Sequence, residues 1–274
     1  MSWFDLQGRY RASAGRTGGG PGEFRGPVRL AVDAQRRVHV LDVRGKIGIF
    51  AASAAGLKHV KDVRTEINGD RFCIMNDAYF LLSRYTTQVV RRLTADGKLV
   101  ASFGQQVNTL GGAVPPPSER ASTFLGRQNM AIMYCSAARQ IIVLVHESAP
   151  VVRAFRTNGQ LLWEIRLPDH RQVREVPVPG RAGWRKLAGD PKTGTSTTVN
   201  GMIPIADDRL AVSLSEGPFQ RGSQFAHEVR VFSLLDGREI ERFKTPTTFT
   251  TGMGNRFFTV SHDPFPRVLV FPLK

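Results

Sequence analysis

The sequence has few cysteines and no long apolar segment. Two cysteines in 274 residues are too few for a disulfide-rich scaffold or a four-cysteine zinc site. The longest apolar runs, residues 141–145 and 268–271, are far shorter than the ~20 residues of a membrane-spanning helix. The first residues also lack the basic start and the apolar stretch of a signal peptide. The chain as written is therefore predicted to be cytoplasmic and without a membrane span.

The sequence motifs of common enzymes are missing as well. There is no Gly-x-Ser-x-Gly nucleophile elbow, and no Gly-x-Gly-x-x-Gly fingerprint lies between a strand and a helix. The six histidines are spread over the chain without a His-x-x-x-His pair. The sequence therefore predicts no catalytic residue and no cofactor, and it favours a non-enzymatic protein.

Basic residues are the one extreme of the composition. The chain has 38 Lys and Arg against 23 Asp and Glu, a formal net charge of +15. Such a charge can attract nucleic acid through the release of counterions. The arginines are scattered, however, with no basic block and no aromatic RNA-binding signature. We therefore expect a diffusely basic protein and consider nucleic acid an unfavoured partner.

A repeat of short strands and tight turns runs through the chain. Glycines flanked by apolar strands mark the turns at Gly97, Gly159 and Gly237, with further copies at Gly8 and Gly56. Asp-Gly and Asn-Gly supply the positive φ angles that tight hairpins need, so the flanking segments should pair antiparallel. Short apolar strands precede each hairpin, which gives a repeating strand order a, b, c, d.

These copies predict an all-β fold, a β-propeller of four-stranded antiparallel blades. Five blades are legible, at about 28–63, 70–104, 128–167 and 200–244, with a closing blade at 249–274. A c–d hairpin at 1–15 would supply the last strand of the closing blade, because a propeller must pair its first and last blades. Residues 1–274 then form a single domain, which we expect to be a monomer.

A glycine-rich segment at 15–27, containing Gly-Pro-Gly-Glu-Phe, precedes strand-like runs at 30–33 and 38–42. This segment resembles NHL-type repeats and is most similar to the bacterial six-bladed β-propeller family, whose members are largely uncharacterised. In such relatives an exported or lipid-anchored N-terminus and the front of the first blade precede the hairpin that corresponds to residues 4–15. The resemblance thus implies a truncated six-bladed chain, which would be exported or periplasmic if an N-terminal segment is missing. Five blades and a truncated six both stay open.

The glycines at 18–22 could also suggest a phosphate loop. Phosphate loops lead into the N-terminus of a helix, and Walker-type loops add a Lys-Ser/Thr pair. Here Phe24, Pro27 and a strand follow instead, so a connector between blades is predicted. Asp33 and Asp42 recur at strand ends and are predicted to cap turns rather than to bind ligands.

Two inserts and two histidines are the candidate binding elements. The inserts, residues 105–123 and 168–199, are long loops, which on rigid scaffolds commonly carry recognition. Trp184, flanked by Arg181 and Arg185, could anchor a partner. His146 and His227 each precede a glutamate near a strand end, where propellers often line one end of the central channel.

Three functions follow from these features. The leading hypothesis is a non-catalytic scaffold that binds a protein, peptide or other ligand through one face of the ring and the two inserts. The alternative is a lactonase- or lyase-like propeller enzyme with a divalent metal in the channel, dependent on His146 and His227. An RNA-binding NHL-like module is the third. No residue is assigned as a metal ligand.

Overall fold

Apart from one helical residue, Gly126, the regular structure is β-strand in the part of the chain that the computed structural model describes. The described residues are 1–5, 7, 9–54, 56–107, 126, 129–147, 149–177, 184–187, 189–218, 225–253, 256–261 and 267–272; for 174–177, 184–187, 253 and 261 only the main chain is described. Within these residues no helix has the length and apolar character needed to cross a membrane.

Two short strand pairs precede the first blade. The pairs are β1 (Ser2–Phe4) with β2 (Tyr10–Ser13), which are antiparallel, and β3 (Arg16–Thr17) with β4 (Glu23–Phe24), which are parallel. The second pair lies in the glycine-rich connector. The predicted connector is therefore an ordered segment with its own hydrogen bonds.

Four blades of four antiparallel strands follow, each in chain order. Blade 1 is β5 (Pro27–Val32), β6 (Arg37–Asp42), β7 (Lys46–Ser53) and β8 (Gly56–Arg64). Blade 2 is β9 (Arg71–Met75), β10 (Ala78–Leu82), β11 (Gln88–Leu93) and β12 (Leu99–Gln105). Blade 3 is β13 (Ala131–Ser136), β14 (Ile141–His146), β15 (Val151–Arg156) and β16 (Leu161–Arg166).

The hairpin β17 (Arg174–Pro177) and β18 (Trp184–Leu187) comes next. Blade 4 is β19 (Thr195–Ala206), β20 (Arg209–Pro218), β21 (Ala226–Ser233) and β22 (Glu239–Thr245). In the described part of the chain, blade 5 has three strands, β23 (Thr251–Met253), β24 (Arg256–Ser261) and β25 (Arg267–Pro272).

Burial explains why these segments form blades. Every residue of β10 and of β14 is buried, so the second strands of blades 2 and 3 are covered on both faces. The outer strand β16 instead alternates exposed and half-buried side chains. Gly97 and Gly159 have φ angles of +89° and +92° in the turns that lead to the outer strands of blades 2 and 3. The prediction of an all-β β-propeller with four-stranded antiparallel blades is confirmed.

The described residues divide into two compact units. The first comprises Met1–Arg84 and Gln88–Gly104, and apolar side chains of blades 1 and 2 form its core, among them Leu41, Ile47, Phe72 and Leu81. The second contains blades 3 to 5. It has two clusters of buried apolar side chains, one between blades 3 and 4 and one between blades 4 and 5.

Candidate functional site

A groove of about 330 Å³ lies on blade 4 of the second unit. Its wall comes from β20, β21 and β22 and from the two ends of the 168–199 insert. We call it the blade-four groove, and its polar lining includes Asp169, Ser215, Glu216, His227, Glu228, Arg230, Arg242 and Lys244. His227 is the predicted site residue that the structure places in this groove.

The register of blade 4 collects the charged side chains of the groove on one face. Glu228 of β21 lies opposite Lys244 of β22, and Arg230 lies opposite Arg242. Directly opposed residues of an antiparallel pair project from the same face of the sheet. The alternation of charged and apolar residues in β21 therefore builds a charged surface over a buried strand.

The insert is attached to this face by its first residues. The main-chain N–H of Arg171 donates to Thr197 Oγ1 at 2.9 Å, and the N–H of Thr197 donates to the carbonyl of Arg171 at 2.9 Å. The guanidinium of Arg171 also donates to Glu216. These contacts hold Asp169, two residues before Arg171, at the rim of the groove.

Most of the charges in the groove are paired. The buried Arg230 donates from Nε to Glu228 Oε1 at 2.5 Å, and Arg242 donates to Asp169 Oδ2 at 2.9 Å and to Glu239 Oε1 at 2.8 Å. The hydrogen bond from Arg242 holds the pKa of Asp169 below its ordinary value. The groove is therefore neither strongly acidic nor strongly basic.

A few groups at or beside the groove have no partner among the described residues. Nδ1 of His227 is buried without a hydrogen bond, and so are both ring nitrogens of His170, which follows Asp169. Burial lowers the pKa of His227, and burial with the nearby Arg230 charge lowers that of His170 to about 4. Both rings are neutral at pH 7. They offer hydrogen bonds without adding charge.

His146, the other predicted histidine, is not part of this groove. It ends β14 opposite Ala131, and its side chain is completely buried. In the described part of the chain neither ring nitrogen has a hydrogen-bond partner. Burial, and then the positive charge of Arg153, lowers the pKa of His146 to about 3.

The burial of His146 predicts a pH-dependent stability. Between pH 6.5 and 3 the unfolded chain binds a proton at this residue that the folded chain does not, so stability falls as the pH falls. From pH 7 to pH 5 the loss attributable to His146 is about 2 kcal/mol. We expect His146→Leu to lack this part of the loss and to be no less stable than wild type at pH 7. Urea unfolding at pH 7 and pH 5 measures the stability of each protein and its loss between the two pH values. An identical pH dependence in variant and wild type would contradict the prediction.

The binding roles predicted for all of these residues stay predictions, and less is described of the remaining ones. Trp184 and Arg185 lie in β18, where only the main chain is described, and Arg181 lies outside the described residues. The 105–123 insert is described only at 105–107. No group of three or more His, Cys, Asp or Glu side chains that could hold a metal ion occurs among the described residues.

Sequence reasoning missed Arg230, Arg242 and Asp169. The available signal was the alternation of charged and apolar residues along β21 and β22. Because a charged face on a strand is commonly solvated surface, that pattern alone does not distinguish a groove from an exposed sheet.

Comparison with known proteins identifies the fold and no more. The chain matches no protein-family profile and no curated protein. A predicted exported protein of Bacteroides fragilis is similar in structure, with a TM-score of 0.56 and 10% identity over 94% of this chain and 72% of that one. A DUF4221 family member of Bacteroides vulgatus has a TM-score of 0.54 and 8% identity over 99% and 86% of the two chains. The chain is thus similar to solved bacterial proteins in fold.

Proposed function

We propose that this protein is a non-catalytic β-propeller scaffold that binds a short peptide segment in the blade-four groove. The observation that carries the proposal is the neutral His227, whose Nδ1 is unpartnered among the described residues, in a groove of about 330 Å³ with charges of both signs. Ligand sites are typically concave, with a small number of polar groups placed to fix orientation.

The charges of the groove favour a ligand that itself carries both signs. Lys244 forms no ion pair with any described residue and is available for an acidic side chain. The carboxylates of Asp169 and Glu216 are partly exposed, so they can contact a basic side chain of the peptide. A peptide main chain adds N–H and C=O groups that a neutral histidine can bind. Complementary charges across such a contact determine specificity more than affinity.

The test starts from a library of random peptides displayed on phage and selected on the folded protein. Enriched peptides are synthesised with a fluorophore, and their Kd is measured by anisotropy. We expect His227→Ala and Lys244→Ala each to raise Kd by about fivefold or more, because each removes one polar contact.

Lys98→Ala is the matched control, since Lys98 is an exposed lysine of the first unit whose one ion pair with a described residue is to Asp96, across 3.8 Å. It should leave Kd unchanged. Equal affinity for wild type and both groove variants, or a selection without enrichment, would contradict binding at this groove.

We also propose that the chain is related to six-bladed propellers with NHL-like repeats. The Gly-Pro-Gly-Glu-Phe connector supports this relationship. The pairing of the 1–15 hairpin with the closing blade stays a prediction, and so do the roles of the 105–123 insert, Trp184, Arg181 and Arg185.

A further inference from the structure

A depression of about 390 Å³ in the first unit is bordered by the glycine-rich connector and blade 1. Its lining includes four basic side chains and one acidic one. We call it the basic depression, defined by Gly19, Arg25, Asp42, Arg44, Lys46 and Arg64. None of these residues belongs to the blade-four groove.

Three of the four basic side chains have no ion-pair partner among the described residues. Arg25, Arg44 and Arg64 are exposed, and none of them forms an ion pair or a side-chain hydrogen bond with a described residue. In the blade-four groove, by contrast, each arginine is bonded to a carboxylate. Three guanidinium groups at one depression repel one another, and an anion among them would relieve the repulsion.

The remaining two charges of the depression are already used within the fold. Lys46 Nζ donates to the carbonyls of Gly20 and Glu23 and lies 3.5 Å from Asp62 Oδ2. The carboxylate of Asp42 is 3% exposed and accepts hydrogen bonds from main-chain N–H groups. The charge left for a ligand is therefore that of the three arginines.

Asp42 also positions two of these arginines. Its Oδ2 accepts the main-chain N–H of Arg25 at 2.7 Å and that of Gly26 at 3.2 Å, and its Oδ1 accepts the N–H of Arg44 at 3.1 Å. These bonds join the end of the connector to the turn between β6 and β7. The main chain at Arg25 and Arg44 is therefore held in place, and the two side chains project from positions that are close together.

Gly19 leaves room for the guanidinium of Arg25. A Cβ atom at this position would lie 2.8 Å from Arg25 Nη2, which is closer than real side chains approach. The guanidinium therefore lies against the bare main chain of the connector. Gly19 thus makes a close packing contact with Arg25 that a phosphate-loop pattern does not describe.

We propose that the basic depression binds a small phosphate-bearing molecule through Arg25, Arg44 and Arg64. A guanidinium is planar and pairs with phosphate oxygens in a bidentate manner, and three of them can neutralise the charge of a phosphate group and donate to its three terminal oxygens. A volume of about 390 Å³ holds a phosphate with a small organic part. This site is independent of the proposed peptide groove.

The test uses inorganic pyrophosphate as the probe and isothermal titration calorimetry as the measurement. We expect the double variant Arg44→Ala/Arg64→Ala to bind pyrophosphate at least about tenfold more weakly than wild type. Both side chains are exposed, so the urea midpoint should not change. The single variant Arg64→Ala should show an intermediate loss.

The matched control is Arg36→Ala/Lys58→Ala, which removes two exposed positive charges elsewhere on blade 1. It should bind within about twofold of wild type. Absence of binding by wild type, or equal weakening in the control, would overturn the site. Tighter binding of citrate than of pyrophosphate would overturn the phosphate assignment. Binding of single-stranded RNA that strengthens with length and depends on Arg44 and Arg64 would instead identify a nucleic-acid surface.

Discussion

Replacing Asp42 by alanine should destabilise the protein by about 3–5 kcal/mol. The substitution leaves three main-chain N–H groups, those of Arg25, Gly26 and Arg44, without their acceptor. Hydrogen bonds to a charged group contribute more than neutral ones, and Asp42 is almost completely buried. Urea unfolding at pH 7 measures the loss from the shift in midpoint.

The loss of stability caused by Asp42→Ala should become smaller as the pH falls. Burial by itself would raise the pKa of Asp42, but the three main-chain hydrogen bonds hold it below its ordinary value. A carboxyl with a lowered pKa stabilises the folded state above its ordinary pKa of about 3.9 and loses that contribution as the pH falls through the folded value. The stability gap between wild type and variant should therefore narrow in acid.

Asp42→Asn is the control variant that keeps the shape of the side chain and removes its charge. It keeps one carbonyl acceptor at the same position and should cost less than alanine at pH 7. A loss below about 1 kcal/mol for alanine would show that the connector does not depend on this carboxylate.

The second large effect is expected at Arg230 in the blade-four groove. Arg230→Met should cost about 2–3 kcal/mol, because it removes the buried cation beside Glu228 and Glu239 and leaves only the more exposed Arg242 to pair with both carboxylates. Arg242 makes comparable contacts but is 37% exposed, against 6% for Arg230. Arg242→Met should therefore cost only about 1 kcal/mol.

The double variant Glu228→Gln/Arg230→Met separates charge from packing. Removing the carboxylate together with its cation should recover part of the stability that Arg230→Met loses. Thermal and urea unfolding of the four proteins measure these differences. Equal, small losses for Arg230→Met and Arg242→Met would contradict the prediction that burial decides the cost.

The blades could be predicted from the sequence because their signals are local. The all-apolar strand at 141–145 and the Asn-Gly turn at Gly159 both occur within a few residues of the feature they specify. The turn-capping role predicted for Asp42 was local in the same way, since its bond to Arg44 spans two residues.

The basic depression could not be predicted because its parts are remote in sequence. Asp42 accepts from Arg25, 17 residues away, and Arg64 comes from the last residue of β8. In the sequence these arginines are simply members of a scattered basic set. Only the hydrogen bonds between the connector and side chains of β6, β7 and β8 show which arginines are neighbours, and only the folded chain shows which of them have no carboxylate partner among the described residues.

The burial of β10 and β14 on both faces determines which sequence changes these strands tolerate. A strand such as β14 must be apolar and of suitable size, and many combinations of valine, isoleucine and leucine meet that requirement. The outer strands and the loops are constrained still less. Very different sequences can meet such a permissive pattern, and the similar fold of two solved proteins at 8–10% identity agrees with this. The pattern places no requirement on charged side chains such as Arg25, Arg44 and Arg64, so the shape of the fold by itself does not specify what these side chains bind.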